Sequence, residues 1–276
     1  MHFQKRSRIQ WALLVLTGIA FGLRLYQIET QSLWRDEVDA ILFATGPWPA
    51  LTAMFSRAGE NGPLYFLLLR PWIALFGDGA CAVRYFSVLP GVLTVPLCYQ
   101  LGRRLLSDTA GILAALLVAT SPYLIWYSQE TKMYALLACL SALSTWLLLR
   151  ALQEDRTAAW IAYVVVTSLG FYTHILAVVL LPFHVALFAL GGTAFYRRWP
   201  KALAALACLT VPYLPLARWE IPTLLSSFET GHPFTPLGTI LATLFQVLSF
   251  GFRSPPLIEV VAVVFTLLAG TFLYRH

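Results

Sequence analysis

The densest run of acid in the chain is Ser32-Leu33-Trp34-Arg35-Asp36-Glu37-Val38-Asp39. Asp36 and Asp39 stand three apart, so a helix would place both on one face. A second acid, Glu130, lies in Ser128-Gln129-Glu130-Thr131-Lys132-Met133-Tyr134. Carboxylates beside a bilayer are costly unless they act on something or face water. Such groups could serve as a general base. The plainer alternative is a solvated loop whose acids cap a helix and pair with nearby cations. The five histidines, His2, His174, His184, His232 and His276, are scattered. None stands in the i, i+4 pairing that binds a metal on a helix. Cys81, Cys98, Cys139 and Cys208 lack ligand spacing and fall in or near apolar segments, as small buried hydrophobes do.

These residues must be positioned by apolar helices. The 276-residue chain is 59% hydrophobic and 12% charged. Its apolar runs approach the length a bilayer demands, which a soluble core does not need. The short alternating segments of a membrane β-barrel are absent. The predicted fold is all-α: a polytopic membrane protein forming a single transmembrane domain over residues 1–276. The net charge of +6 comes from basic clusters between apolar runs, the pattern of topogenic signals rather than of nucleic-acid binding.

Sidedness follows from those clusters. Lys5, Arg6 and Arg8 precede a first span over residues 9–28, which places the N-terminus in the cytoplasm. Residues 29–62 then form an extracytoplasmic loop, with amphipathic interfacial helices at 36–43 and 48–57. Segment 63–77 is short for a span and carries Arg70-Pro71 at its middle. Read as a re-entrant or interfacial helix, it leaves Arg103-Arg104 in the cytoplasm and puts Glu130 on the same side as Asp36. The positive-inside rule favours that parity. Further spans are expected at 85–101, 110–127, 132–150, 157–170, 175–190, 202–216 and 257–274. Residues 217–256 form an outer loop, in which 237–250 is a span or another interfacial helix. The total is about eight crossings. Acid gathers outside, at Glu29, Asp36, Glu37, Asp39, Glu60, Glu130, Glu220 and Glu229, and only Asp108, Glu154 and Asp155 fall inside.

Three motifs then share the outer face: Trp34-Arg35-Asp36-Glu37, Asn61-Gly62-Pro63-Leu64-Tyr65-Phe66, and the stretch from Ser121-Pro122-Tyr123 to Lys132-Met133-Tyr134. With Ala82-Val83-Arg84-Tyr85 and Tyr172-Thr173-His174, this set resembles the polytopic glycosyltransferases of the GT-C superfamily. It is most similar to the family 39-type branch of protein O-mannosyltransferases and the aminoarabinose transferase of lipid A. The resemblance runs from about residue 9 to 190 by motif order and shared sidedness. Asn61-Gly62 stands where His-Pro is common, and Lys132 replaces the usual Arg. The family usually continues beyond a length like this one, so a short homologue, a fragment and an inactive subunit all remain open.

The resemblance implies transfer of a sugar from a polyprenyl-phosphate carrier to an acceptor outside the cytoplasm, at the cell inner (plasma) membrane, with inversion. Matched to the family's acidic pair, Asp36 is the general base, with Glu37 beside it. Glu130 orients the acceptor or holds a divalent cation with Asp36. Whether a metal is required stays open. Arg84, Lys132 and Arg70 are the cations available to the leaving phosphate. Tyr65, Tyr134 and His174 complete the expected substrate-binding set. Each has a plainer reading: Asp36 as a helix cap, Glu37 as solvated, Arg84 as a snorkelling anchor, and Glu130 with Lys132 as an interfacial ion pair. The expected partners are a polyprenyl-phosphate sugar and membrane lipid, with no nucleic acid. A non-catalytic GT-C-like subunit of a larger membrane complex, held by membrane-protein partners, is the alternative. A lipid or small-molecule transporter ranks third, because no internal repeat is visible and the charges flank the spans.

Overall fold

The computed structural model describes residues 2–54, 62–225 and 235–250. Among these residues the chain is helical, with no strand. The helices are α1 (His2–Leu25), α2 (Arg35–Thr45), α3 (Trp48–Ala53), α4 (Leu64–Phe76), α5 (Ala80–Leu105), α6 (Asp108–Thr120), α7 (Pro122–Ser128), α8 (Tyr134–Glu154), α9 (Thr157–Phe171), α10 (Leu180–Leu190), α11 (Gly192–Tyr196), α12 (Trp199–Leu225) and α13 (Leu237–Phe250). A short 3₁₀ turn, Ile175–Val179, leads into α10. Among the described residues four helices are long and apolar enough to cross a bilayer: Ser7–Leu25, Ala80–Leu105, Tyr134–Glu154 and Trp199–Arg218. The expected last span at 257–274, and Glu60, Asn61 and Glu229, lie outside the described residues.

The segment expected as one span at 110–127 is two helices. α6 and α7 meet at Ser121-Pro122 with a bend of 56°. The cause is local. Pro122 has no N–H to give the Val118 carbonyl four residues back. Arg24, near the end of α1 and fully buried, supplies the missing donors. Its Nη2 donates to Val118 O at 3.1 Å and its Nη1 to Ala119 O at 3.2 Å. Its Nε donates to Ser128 Oγ at 3.2 Å, inside α7. One guanidinium therefore stitches α1 to both halves of the broken helix, and its charge meets the negative end of α6. Gly91 on α5 makes room for this contact: a Cβ there would lie 2.2 Å from Ser128 Oγ.

α8 runs through the middle of the bundle. One side of it packs on α9 and α12 through Leu148, Leu152, Trp160, Tyr163 and Leu209. Polar groups inside this packing are paired, with Ser144 Oγ 2.6 Å from Thr167 Oγ1 and His184 between Thr145 and Tyr163. A second core holds α2 on α4 through Ala40, Ala44, Tyr65, Phe66, Leu69 and Met133. Arg70 caps the end of α2, donating to Ala44 O and Gly46 O, and lies 4.4 Å over the Trp48 ring. α12 continues to Leu225, into the stretch expected as loop.

The segment at 63–77 is the 13-residue α4, about 20 Å long and shorter than a bilayer core. Its start is tied to the α9 end, where Leu64 N donates to Tyr172 O at 2.9 Å. Farther along, the Trp72 indole N–H donates to Ala82 O in the first turn of α5. Both connections fall at the end of the bundle that carries the acidic motifs.

Candidate active site

Glu37 sits in the first turn of α2 with no exposed surface. Its carboxylate reaches back to accept from Trp34 N at 3.3 Å, as a third-position acid does in a helix cap. Arg84 meets it as a two-pronged fork, Nε to Oε1 at 2.9 Å and Nη2 to Oε2 at 2.7 Å. Thr131 N adds a fourth donor at 3.0 Å. Burial pushes the Glu37 carboxyl up, but these donors and the Arg84 charge outweigh it and hold its pKa below the ordinary carboxylate value. The other N–H groups of Arg84 go to Ile28 O, Gln31 O and Ser32 O. All five guanidinium donors are engaged, so Arg84 fastens the 28–32 segment to α5 and has none left for a phosphate. Arg70, busy at the end of α2, has likewise been drawn into structure.

The 129–133 segment is held by complementary bonds. Gln129 Nε2 donates to Arg24 O and Tyr26 O, tying the segment to the end of α1. Met133 is fully buried in the α2–α4 core. Lys132 Nζ lies 3.4 Å from Asp36 Oδ2, with the Asp36 side chain 44% exposed and that of Lys132 11%. Arg35 and Asp39 form a looser exposed pair at 3.9 Å. Glu130 is different. It is 8% exposed, and its Oε2 is buried without a hydrogen-bond partner among the described residues. Burial, together with the nearby Glu37 and Asp36 charges, pushes its pKa up to about 7, against the lowering effect of Trp126 and Lys132.

Glu37, Arg84 and Glu130 line a cavity of about 820 Å³, walled by Trp34, Trp126, Tyr127 and Tyr134. Tyr127 and Tyr134 meet edge to face at 4.7 Å. The same two rings also line a second cavity of about 340 Å³ between α1, α5, α7 and α8. Asp36 and Lys132 stand beside the first cavity rather than in its wall. Tyr65 faces away from it: fully buried, its hydroxyl lies 2.9 Å from Ser87 Oγ, and Ser87 in turn donates to Lys132 O. His174 is half-buried and spends its Nδ1 on Leu176 N, while burial and then the Lys132 charge lower its pKa. Thus Asp36, Glu37, Glu130, Arg84, Lys132 and Tyr134 come together, and Tyr65 and His174 brace the surroundings.

Arg24, Ser128, Gln129 and Thr131 also build the site, without having been singled out from the sequence. Arg24 closes an apolar run, a place where an arginine also stands as an ordinary boundary residue, so the sequence did not mark it out. Gly62 explains one departure from the family pattern. Its N–H donates to Thr173 O at 3.2 Å, and a Cβ would stand 2.1 Å from Tyr172 O. The Asn61-Gly62-Pro63 and Tyr172-Thr173-His174 motifs are therefore in backbone contact. No three His, Cys, Asp or Glu side chains converge as metal ligands among the described residues. With Glu37 committed to Arg84 and Asp36 to Lys132, the carboxylates do not form a ready cation cage.

Residues 60–219 match the family model for dolichyl-phosphate-mannose-protein mannosyltransferase. An undecaprenyl phosphate-alpha-4-amino-4-deoxy-L-arabinose arabinosyl transferase of Pseudomonas fluorescens is 31% identical over 209 residues, covering 71% of this chain and 37% of the relative. A similarly named transferase of Pseudomonas aeruginosa is 31% identical over 221 residues, covering 74% and 39%. The putative mannosyltransferase YkcB of Bacillus subtilis is 26% identical over 238 residues, covering 80% and 32%. The chain thus spans between about a third and two fifths of the length of these relatives. It belongs to the dolichyl-phosphate-mannose-protein mannosyltransferase family, and it is a multi-pass membrane protein.

Proposed function

We propose that this family member moves a sugar from a polyprenyl-phosphate carrier to a hydroxyl acceptor, with inversion, on the extracytoplasmic side of the cell inner membrane. The observation that carries the reading is the meeting of three acids and two cations from α2, α5 and the 129–133 segment beside one aromatic-walled cavity. Relatives named for undecaprenyl-phosphate aminoarabinose transfer support the donor class. The basic flank of α1 supports a cytoplasmic N-terminus.

In this reading Asp36 is the general base, since of Asp36, Glu37 and Glu130 it is the one whose side chain is half-exposed and can be reached by an acceptor from outside. It takes the hydroxyl proton while the oxygen attacks the anomeric carbon. Lys132 orients Asp36 and keeps N–H groups for an oxygen of the leaving phosphate. Arg84 is a positioning residue. It locks Glu37 and the 28–32 segment so that Asp36, one residue before Glu37, keeps its place. The aromatic walls suit a sugar ring, and the second cavity, beyond Tyr127 and Tyr134, suits the first prenyl units. A divalent cation held by Asp36 and Glu130 would supply charge to the phosphate, but no step here requires one.

The test is an Asp36→Asn variant of the full-length protein in membranes supplied with a polyprenyl-phosphate sugar. Transfer is expected to fall by about 100-fold or more, at the scale of losing a general base. Unchanged transfer would remove Asp36 from the chemistry. Absence of transfer by the wild type, with partner proteins co-purifying, would favour the structural-subunit reading.

A further inference from the structure

The end of the bundle opposite the acidic motifs holds a cavity that the scheme above leaves unused. It encloses about 280 Å³ between α8, α9, α10 and α12, with Leu148, Trp160, Phe188, Trp199, Leu203 and Leu206 in its wall. Tyr163 and His184 reach the wall as well. The Tyr163 hydroxyl lies 3.1 Å from His184 Nδ1, and Thr145 Oγ1 lies 3.1 Å from His184 Nε2. Their polar atoms are spent on one another, so a ligand meets hydrocarbon. On α12 the wall runs from Trp199 to Leu206, about 10 Å of helix. Val185 and Leu203 are more than half exposed, so the cavity opens sideways, toward the place of the lipid.

The mouth of this cavity is basic. Arg198 and Lys201 flank Trp199 and share one acid, Asp155, at 2.8 and 2.7 Å. The Trp160 indole, from the cavity wall, interacts with the same carboxylate, so wall and charges adjoin. Arg197 is exposed and has no anion paired with it among the described residues. Three cations thus meet one acid. Lys201, its side chain 47% exposed, gives one N–H to Asp155 and keeps two. Cations that only mark the side of a membrane need no apolar cavity beside them.

We propose that this cavity seats an acyl chain of an anionic phospholipid from the leaflet at this end, with Arg197 and Lys201 on its phosphate. Basic pockets between transmembrane helices suit such headgroups. Charge selects the class. A zwitterionic lipid carries its own ammonium into a field that is already positive, whereas an anionic headgroup brings only the complementary sign. Trp199, 59% exposed, stands between the charges and the apolar wall, the level at which an indole meets a lipid headgroup. The inference is separate from the sugar-transfer reading. The two sites lie at opposite ends of α8, about 30 Å of helix apart.

The experiment places the full-length protein in phosphatidylcholine vesicles with a trace of phosphatidylglycerol that carries a photoactivatable acyl chain, and maps the labelled peptides. Label is expected on α10 and on the first two turns of α12. Unlabelled phosphatidylglycerol should compete for it, and added phosphatidylcholine should not. A basic residue near a membrane surface is worth about fivefold in binding. Arg197→Gln with Lys201→Gln should therefore cut this label by about 20-fold. Label on the exposed side of α1, at Leu14 and Val15, should stay unchanged, which also shows that the variant is folded. Leu206→Trp, which fills the deep end of the cavity, should remove the label with both cations in place. Equal labelling of α10 and α12 by a phosphatidylcholine probe overturns the proposal. So does label there that survives the double substitution or Leu206→Trp, or that undecaprenyl phosphate displaces better than phosphatidylglycerol. Absence of label on α10 and α12 overturns it too, because another stretch of protein then covers the opening.

Discussion

The two ends of the bundle carry the same kinds of charge and use them in opposite ways. At the end where α8 turns into α9, Glu154 lies 2.6 Å from Arg104 and 3.0 Å from Arg150, and Asp155 lies 2.8 Å from Arg198 and 2.7 Å from Lys201. Each acid there has at least two cations and stays in reach of solvent. At the other end the Glu37–Arg84 pair is buried, and Glu130 Oε2 is buried with no partner among the described residues. Redundant, solvent-accessible pairs tie helices together and can lose a member. Single, buried pairs define a geometry and cannot. An acid left out of such pairing, inside a cavity, is available for chemistry.

The comparison breaks most readily at Arg84. Arg84→Ala strands the buried Glu37 carboxylate and frees Ile28, Gln31 and Ser32 from α5. Losing one partner of a buried pair costs about 3–5 kcal/mol. Unfolding in detergent should show a loss of that size. Replacing both partners, as Arg84→Met with Glu37→Leu, should recover much of it, because no charge is then stranded. If the single variant unfolds like wild type, Glu37 and Arg84 are not the buried lock described here.

Glu130 sharpens the same contrast through pH. Its folded pKa of about 7 lies above the ordinary carboxylate value, so the folded state holds a proton that the unfolded chain has released. The resulting stability is fully present below about pH 4.5 and is lost as pH rises through about 7. At pH 8 Glu130→Gln should be more stable than wild type, by on the order of 2 kcal/mol, with the difference closing at pH 4.5. Equal stability at both pH values would show that the ionised side chain finds a partner after all.

What could be read in the sequence was decided by how local its cause is. The membrane class, the α2 helix and the sharing of one end by Asp36 and Glu130 follow from apolar run length, spacing and the placement of basic residues. The break at Ser121-Pro122 was legible as a proline, but its consequence was not. The donors that satisfy it come from Arg24, 94 and 95 residues earlier, and a guanidinium closing an apolar run looks like any boundary residue. Arg84 was legible as a cation near the site. That its five donors are all consumed depends on how three carbonyls of the 28–32 segment fold back on it. Tyr65 shows the converse. It stands within a motif of the site, yet its hydroxyl is spent on Ser87 beneath it. Sequence proximity to a site gives neither the direction of a side chain nor its remaining capacity.

The smallest effect is expected at the opposite end, and it guards the comparison against a trivial explanation. Asp155 ends α8 in the left-handed region, at φ 53°, a conformation that asparagine tolerates well. Asp155→Asn therefore keeps the turn and removes only the charge. The bond from Lys201, then the charges of Arg198 and Lys201, hold the Asp155 pKa below its ordinary value. Its contribution is present above the unfolded-state pKa of about 3.9 and lost as pH falls through the folded value. The variant should differ only slightly from wild type at pH 7, and the gap should close both in acid and in 1 M salt, which shortens screening to about 3 Å. A loss at Asp155 as large as that at Arg84 would mean that burial is not what separates the two ends. The exposed network would then be as indispensable as the lock beside the cavity.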